Sequence, residues 1–102
     1  MEGRSVIAAE VLAKYAADAA LEVDGVAGMV EGPLHRQRGV RVTDEDGALD
    51  VELHLSIAWG ANAADVGAAV QERVARYLGR MADVAPRAVD VVVDEVGPPP
   101  AA

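Results

Sequence analysis

From Leu49 to Trp59 the chain alternates without a break. Leu49, Val51, Leu53, Leu55, Ile57 and Trp59 fall on one side, and Asp50, Glu52, His54, Ser56 and Ala58 fall on the other. Successive side chains of an extended chain point to opposite faces, so this run specifies a strand with one core face and one polar face. A sheet built around such a strand is covered on one side only. The remaining segments must therefore supply a single covering layer.

Residues 9–23 read as the first part of that layer. Val11, Tyr15 and Ala19 form a row at spacing four with Leu12, Ala16 and Ala20 beside it, while Glu10, Lys14, Asp18 and Glu22 occupy another row. That is an amphipathic helix, and its alanines allow a close approach to whatever lies beneath. Asp24-Gly25 is its stop; at the start either Ser5 caps it or residues 5–7 form a short extended lead-in. A short strand follows at 26–30, with a bulge or close backbone approach expected at Gly28. Residues 32–38 form an irregular loop, Val40 and Val42 belong to a half-buried strand, and Asp46-Gly47 marks a hairpin turn.

Beyond Gly60-Ala61, Asn62 caps a second helix and places Asp65 near the positive end of its dipole. Val66, Val70, Val74, Tyr77, Leu78 and Met81 give this helix its apolar stripe, and Glu72–Arg76 stand in the favourable i,i+4 order. Residues 88–96 form a last strand, and 97–102, GPPPAA, read as a disordered tail. With the second helix as crossover, the long strand and the last one run parallel. The expected fold is α+β: a two-layer sandwich with two helices on one face of a small mixed sheet, in the order α-β-β-β-α-β, as a single domain over residues 1–96. Ala and Val fill much of its core and bury less area than larger side chains, so self-association is expected.

Composition narrows the function. No cysteine is present, which excludes a disulfide framework, a Cys-ligated zinc and a thiol nucleophile. Seventeen acidic residues against nine basic ones give a net charge of −8, and only Tyr15, Trp59 and Tyr77 are aromatic. Neither the field nor the stacking surface suits nucleic acid. The first residues carry no apolar signal core, and no apolar run approaches the ~20 residues that span a bilayer, so a cytoplasmic location is expected.

Chemistry-bearing residues are sparse. His54 and Glu52 share the polar face of the long strand, a pair that could begin a metal site but lacks an evident third ligand, and Ser56 lies on the same face without an orienting partner. The turn carboxylates Asp44, Glu45 and Asp46 lack the twelve-residue calcium pattern. No catalytic residue and no cofactor are expected. The one local charge anomaly is the run from His35 to Arg41, where Arg36, Arg38 and Arg41 cluster in an acidic chain. These three arginines, with Glu52 and His54, form the candidate interaction patch, suited to an anionic partner.

The stretches AALEVDGVAGM at 19–29, GVRV at 39–42, IAWGANAADV at 57–66 and VQERV at 70–74, in that order, resemble the alkaline shock protein family of bacterial envelope stress response proteins. Two departures are Ala8-Ala9, where such proteins more often carry a polar cap, and Trp59, where a tyrosine is commoner. The resemblance implies a non-enzymatic, self-assembling scaffold or adaptor of cell-envelope homeostasis, cytoplasmic and held at the membrane periphery through a membrane-anchored partner. The alternative is a small ligand-binding or carrier domain that partners an enzyme of lipid or envelope metabolism, using an apolar pocket between the helices and the sheet.

Overall fold

A computed structural model of the chain describes residues 8–32 and 38–98. Its elements run α1 (Ala9–Leu21), β1 (Val26–Met29), β2 (Val40–Glu45), β3 (Ala48–Ile57), α2 (Ala63–Ala82) and β4 (Ala88–Val96). The order and the α+β class are those the sequence predicts. Ser5, His35, Arg36 and residues 99–102 lie outside the described residues.

β3 is the spine of the sheet. It pairs antiparallel with β1 and β2 and parallel with β4, so the sheet is mixed. β2 matches residues 48–53 of β3 and β1 matches residues 55–57, along the same edge. The two short strands are thus segments of one interrupted strand. The chain leaves it after Val30, whose N–H donates to His54 O at 2.9 Å, and rejoins it at Gly39, whose carbonyl accepts from His54 N–H at 2.8 Å. Gly39 has φ +78°, and a Cβ there would lie 2.8 Å from Val30 O and 2.9 Å from His54 O. Only a residue without a side chain fits where the two strand ends abut.

The predicted alternation of β3 holds. Val51, Leu53, Leu55 and Ile57 are buried beneath the helices, and Asp50, Glu52, His54 and Ser56 are half-buried on the opposite face. Trp59 departs from the expectation. β3 ends at Ile57, Ala58 donates to Gly25 O, and the chain turns through Gly60, leaving Trp59 58% exposed beyond the last core position. The alternating pattern outlasts the backbone pairing that would have kept that ring in the core.

α1 lies over β1 and β2, α2 over β4, and the helices pack against each other. They run antiparallel: Glu22 meets Arg73, and about two turns back along the chain from Glu22, Tyr15 meets Tyr77 edge-on at 5.9 Å. Ala13, Ala16, Ala19 and Ala20 are fully buried, so α1 comes down onto its neighbours on a row of methyl groups. Larger side chains, among them Leu53, Leu55, Leu78 and Val70, fill the centre, each stabilising by about 1.5–3 kcal/mol when buried. α2 begins as its sequence specifies, with Asn62 Oδ1 accepting from Asp65 N–H at 3.0 Å. α1 begins at Ala8 with no side-chain cap. Its stability comes from the buried alanine face rather than from its first turn.

Candidate functional site

The face of the sheet away from the helices carries most of the ordered polar chemistry. β3 presents Asp50, Glu52, His54 and Ser56 in register there, and its neighbours on both sides bring charged groups alongside. His54 sits between two carboxylates: Nε2 is 2.5 Å from Glu52 Oε2, on its own strand, and Nδ1 is 2.7 Å from Asp94 Oδ2, on β4. An acceptor at each nitrogen favours the imidazolium, the form that donates at both. Burial of the ring works against its charge, but the hydrogen bonds it donates to Glu52 and Asp94 and the charges of both carboxylates outweigh that. His54 therefore titrates above its ordinary value of 6.5.

The bulge in β4 makes the second contact possible. Leu55 pairs with Val93 and Ser56 with Glu95, so Asp94 is an extra residue in the β4 side of the ladder. A second link between the same strands lies one end along. Arg87 clamps Asp50 with two hydrogen bonds, Nε to Oδ1 at 3.0 Å and Nη2 to Oδ2 at 2.5 Å. The guanidinium holds the Asp50 carboxyl below the usual carboxylate range, and the carboxylate in turn raises Arg87.

Of the sequence-predicted patch, Glu52 and His54 are brought into direct contact, and Arg41 lies opposite Glu52 in the β2–β3 register. Arg38 is exposed at φ +59°, at the point where the chain re-enters the sheet, and Arg36 falls outside the described residues. Asp94 and Arg87 are members of this site that the sequence reading missed, and Asp50, placed on this face by the alternation, was not given its Arg87 partner. Asp94 had one available signal, a carboxylate in the alternating run of a strand expected to lie parallel to β3; the register that sets it beside His54 was not readable.

The geometry bears on two chemistries weighed from the sequence. A metal needs ligands converging on one point, whereas Glu52 and Asp94 meet opposite nitrogens of the ring. Among the described residues no group of three or more His, Asp or Glu is arranged to hold an ion. A nucleophile would need a ring nitrogen facing a hydroxyl, but Glu52 and Asp94 occupy both, and Ser56 Oγ instead donates to Gly28 O at a long 3.4 Å. On the far side of the molecule, a cleft of about 310 Å³ beside the end of α1 is lined chiefly by Glu22, Asp24, Glu72, Arg73 and Arg76. Its charged walls do not suit an apolar ligand.

The model of the ASP23 family, cell envelope-related function, which is the alkaline shock protein family, matches residues 1–98, nearly the whole chain. This chain belongs to the alkaline shock protein family. A family role related to the cell envelope thus stands where the sequence resemblance put it. An uncharacterized protein of Bacillus subtilis, YqhY, is 30% identical over 99 residues, covering 87% of this chain and 73% of that protein. No solved structure matches the chain. No helix among the described residues is long and apolar enough to cross a membrane.

Proposed function

We propose that this alkaline shock family chain is a non-enzymatic scaffold or adaptor of cell-envelope homeostasis. It works at the cytoplasmic side of the membrane, associating with copies of itself and with a membrane-anchored protein. The observation that carries this reading is the one-sided sheet. Both helices cover the same face, so a broad surface of fixed charged groups and the outer edge of a nine-residue strand remain open to a macromolecular partner. The groups on that face are locked to one another as ion pairs, an arrangement that gives a rigid pattern of charge rather than a reactive centre.

Self-association draws on the helix layer. Val11 and Met81, 37% and 46% exposed, each stand four residues beyond the Tyr15–Tyr77 contact at the same end of the antiparallel pair. Light scattering from micromolar to millimolar protein tests this directly. A mass that rises with concentration, and falls back in a Val11→Ser, Met81→Ser double variant, supports it, whereas a monomeric mass throughout contradicts it. For the membrane-anchored partner, fractionation of cells followed by solubilisation is decisive. The account expects the chain in a membrane fraction from which salt extracts it, and its absence from that fraction contradicts the location.

A further inference from the structure

β4 is the outermost strand of the sheet; among the described residues no strand pairs with its outer side, where Gln71 Nε2 donates to Val89 O at 2.9 Å. Arg87 N–H donates to Leu49 O at the start of the strand. His54 turns its peptide groups toward β1 and β2, so Val51, Leu53 and Leu55 turn theirs toward β4; in the parallel register those of Ala88, Asp90 and Val92 then face β3 and those of Val89, Val91 and Val93 turn outward. The stretch from Ala88 to Val93 is regular, since the bulge comes only at Asp94. It contains no proline and no lysine, the residues that most often protect a free edge.

What that edge does carry is negative charge. Asp90 is exposed within the regular stretch, and Asp94 and Glu95 follow at its end. Asp94 is held by His54, but Asp90 and Glu95 enter no ion pair among the described residues. Arg87, the nearest cation along the strand, is committed to Asp50. A second copy of the chain adding its own β4 antiparallel, centred on Val92, would set Asp90 against Asp94 of its neighbour, and like charges directly opposite destabilise a ladder. Past the Val89 carbonyl the edge is thus open in its backbone, and it is closed by charge to its own kind.

We infer that the outer edge of β4, from Ala88 to Val93, accepts an extended segment of another protein, one that alternates Lys or Arg with β-branched residues. Backbone pairing to Val91 and Val93, and to the Val89 N–H, supplies the affinity, and Asp90 and Glu95 select for cations on the incoming strand. Val92 half-buries an apolar side chain on the otherwise charged open face and offers a β-branched neighbour a contact there. The inference rests on the adaptor reading and names the chemistry of one partner segment.

The test uses the full chain and three synthetic peptides: Lys-Val-Lys-Val-Lys-Val-Lys, its glutamate counterpart, and a peptide of the same charge with proline in place of the valines. Amide chemical shifts and hydrogen exchange are followed in titrations at low and moderate salt. The lysine–valine peptide is expected to bind and to slow exchange at Val89, Val91 and Val93, while the other two bind at least about tenfold more weakly. Val91→Pro removes an outward N–H without removing a ladder bond to β3, a position at which proline is tolerated, and is expected to weaken binding by a similar factor. Should that variant fold poorly, Asp90→Lys with Glu95→Lys reverses the charge instead, and is expected to shift the preference to the glutamate peptide. Equal binding of the proline-containing peptide, protection elsewhere on the chain, or no binding of the lysine–valine peptide overturns the proposal. Those outcomes leave the adaptor reading standing if the chain still fractionates with membranes; loss of membrane association defeats that reading separately.

Discussion

His54 and Asp94 are forty residues apart in the chain, yet His54 Nδ1 lies 2.7 Å from Asp94 Oδ2 on the face of the sheet away from α1 and α2. With Glu52 on the other ring nitrogen, this contact ties the central strand to the edge strand by a charge that depends on pH. His54 is raised above 6.5 in the folded chain, and the unfolded chain returns it to the ordinary value. The folded form therefore binds the proton more tightly, and its contribution to stability is fully present below about pH 6.5. It is lost as pH rises through the folded-state value, above which two carboxylates face a ring with one N–H. Urea unfolding between about pH 5.5 and 9 should show stability falling over that window, and His54→Gln should flatten the profile. A wild-type profile that rises there, or an unchanged slope in the variant, contradicts the assignment.

Gly39 makes the interrupted strand possible, and its replacement should be costly. In Gly39→Ala the new methyl meets two backbone oxygens at under 3.0 Å and must also adopt φ +78°. Gly47, at φ +83° in the β2–β3 turn, has nothing within 4 Å of the same added atom. Gly47→Ala should therefore cost only the left-handed conformation, about 1 kcal/mol, while Gly39→Ala costs about 3 kcal/mol or more. Urea midpoints of the two variants, read side by side, isolate the close approach. Equal losses would mean that the strand ends separate easily.

The fully buried alanines of α1 set the distance between the two layers. Ala16→Leu should overpack that contact and destabilise by about 1–3 kcal/mol, whereas Val11→Ala, on the exposed side of the same helix, should be nearly neutral. Thermal unfolding distinguishes them. A stabilised Ala16→Leu would reveal unfilled space under the helix, and with it the interlayer pocket that a carrier domain would need.

Asn62→Ala removes the side-chain acceptor for Asp65 N–H and should cost about 1 kcal/mol, with the loss recovered by Asn62→Ser. The measurement is again a denaturant midpoint. No loss would mean that α2 is anchored by its Val66, Val70, Val74 and Leu78 stripe alone.

The parts of the fold that were legible are those fixed by local chemistry. Asn62 and Asp65 announce a helix start, Asp46 and Gly47 both adopt the positive φ their turn needs, and the alternation through β3 assigns every core residue up to Ile57. Gly28 marks the irregularity in β1 that its lack of a side chain suggested. Trp59 misled because a period of two continues on paper after the ladder has ended. Two relationships were not legible at all: that β1 and β2 lie end to end against one strand, and that β4 carries an extra residue at Asp94. Both are matters of register, which is settled by how backbones meet across the sheet and not by side-chain pattern along one segment. The candidate site followed suit. Glu52 and His54 could be paired from their spacing on one strand, whereas Asp94, Asp50 and Arg87 depend on the crossover register.

Site-specific photocrosslinking in living cells asks most directly whether the uncovered side of the sheet is where this chain does its work. A photoreactive phenylalanine analogue in place of Asp90, on the open edge, is compared with one in place of Arg80, on the exposed side of α2. The account predicts adducts from position 90 that map to a Lys- or Arg-rich extended segment of a membrane-anchored protein, with few from position 80. Adducts to that protein from position 80 and none from position 90 would contradict it.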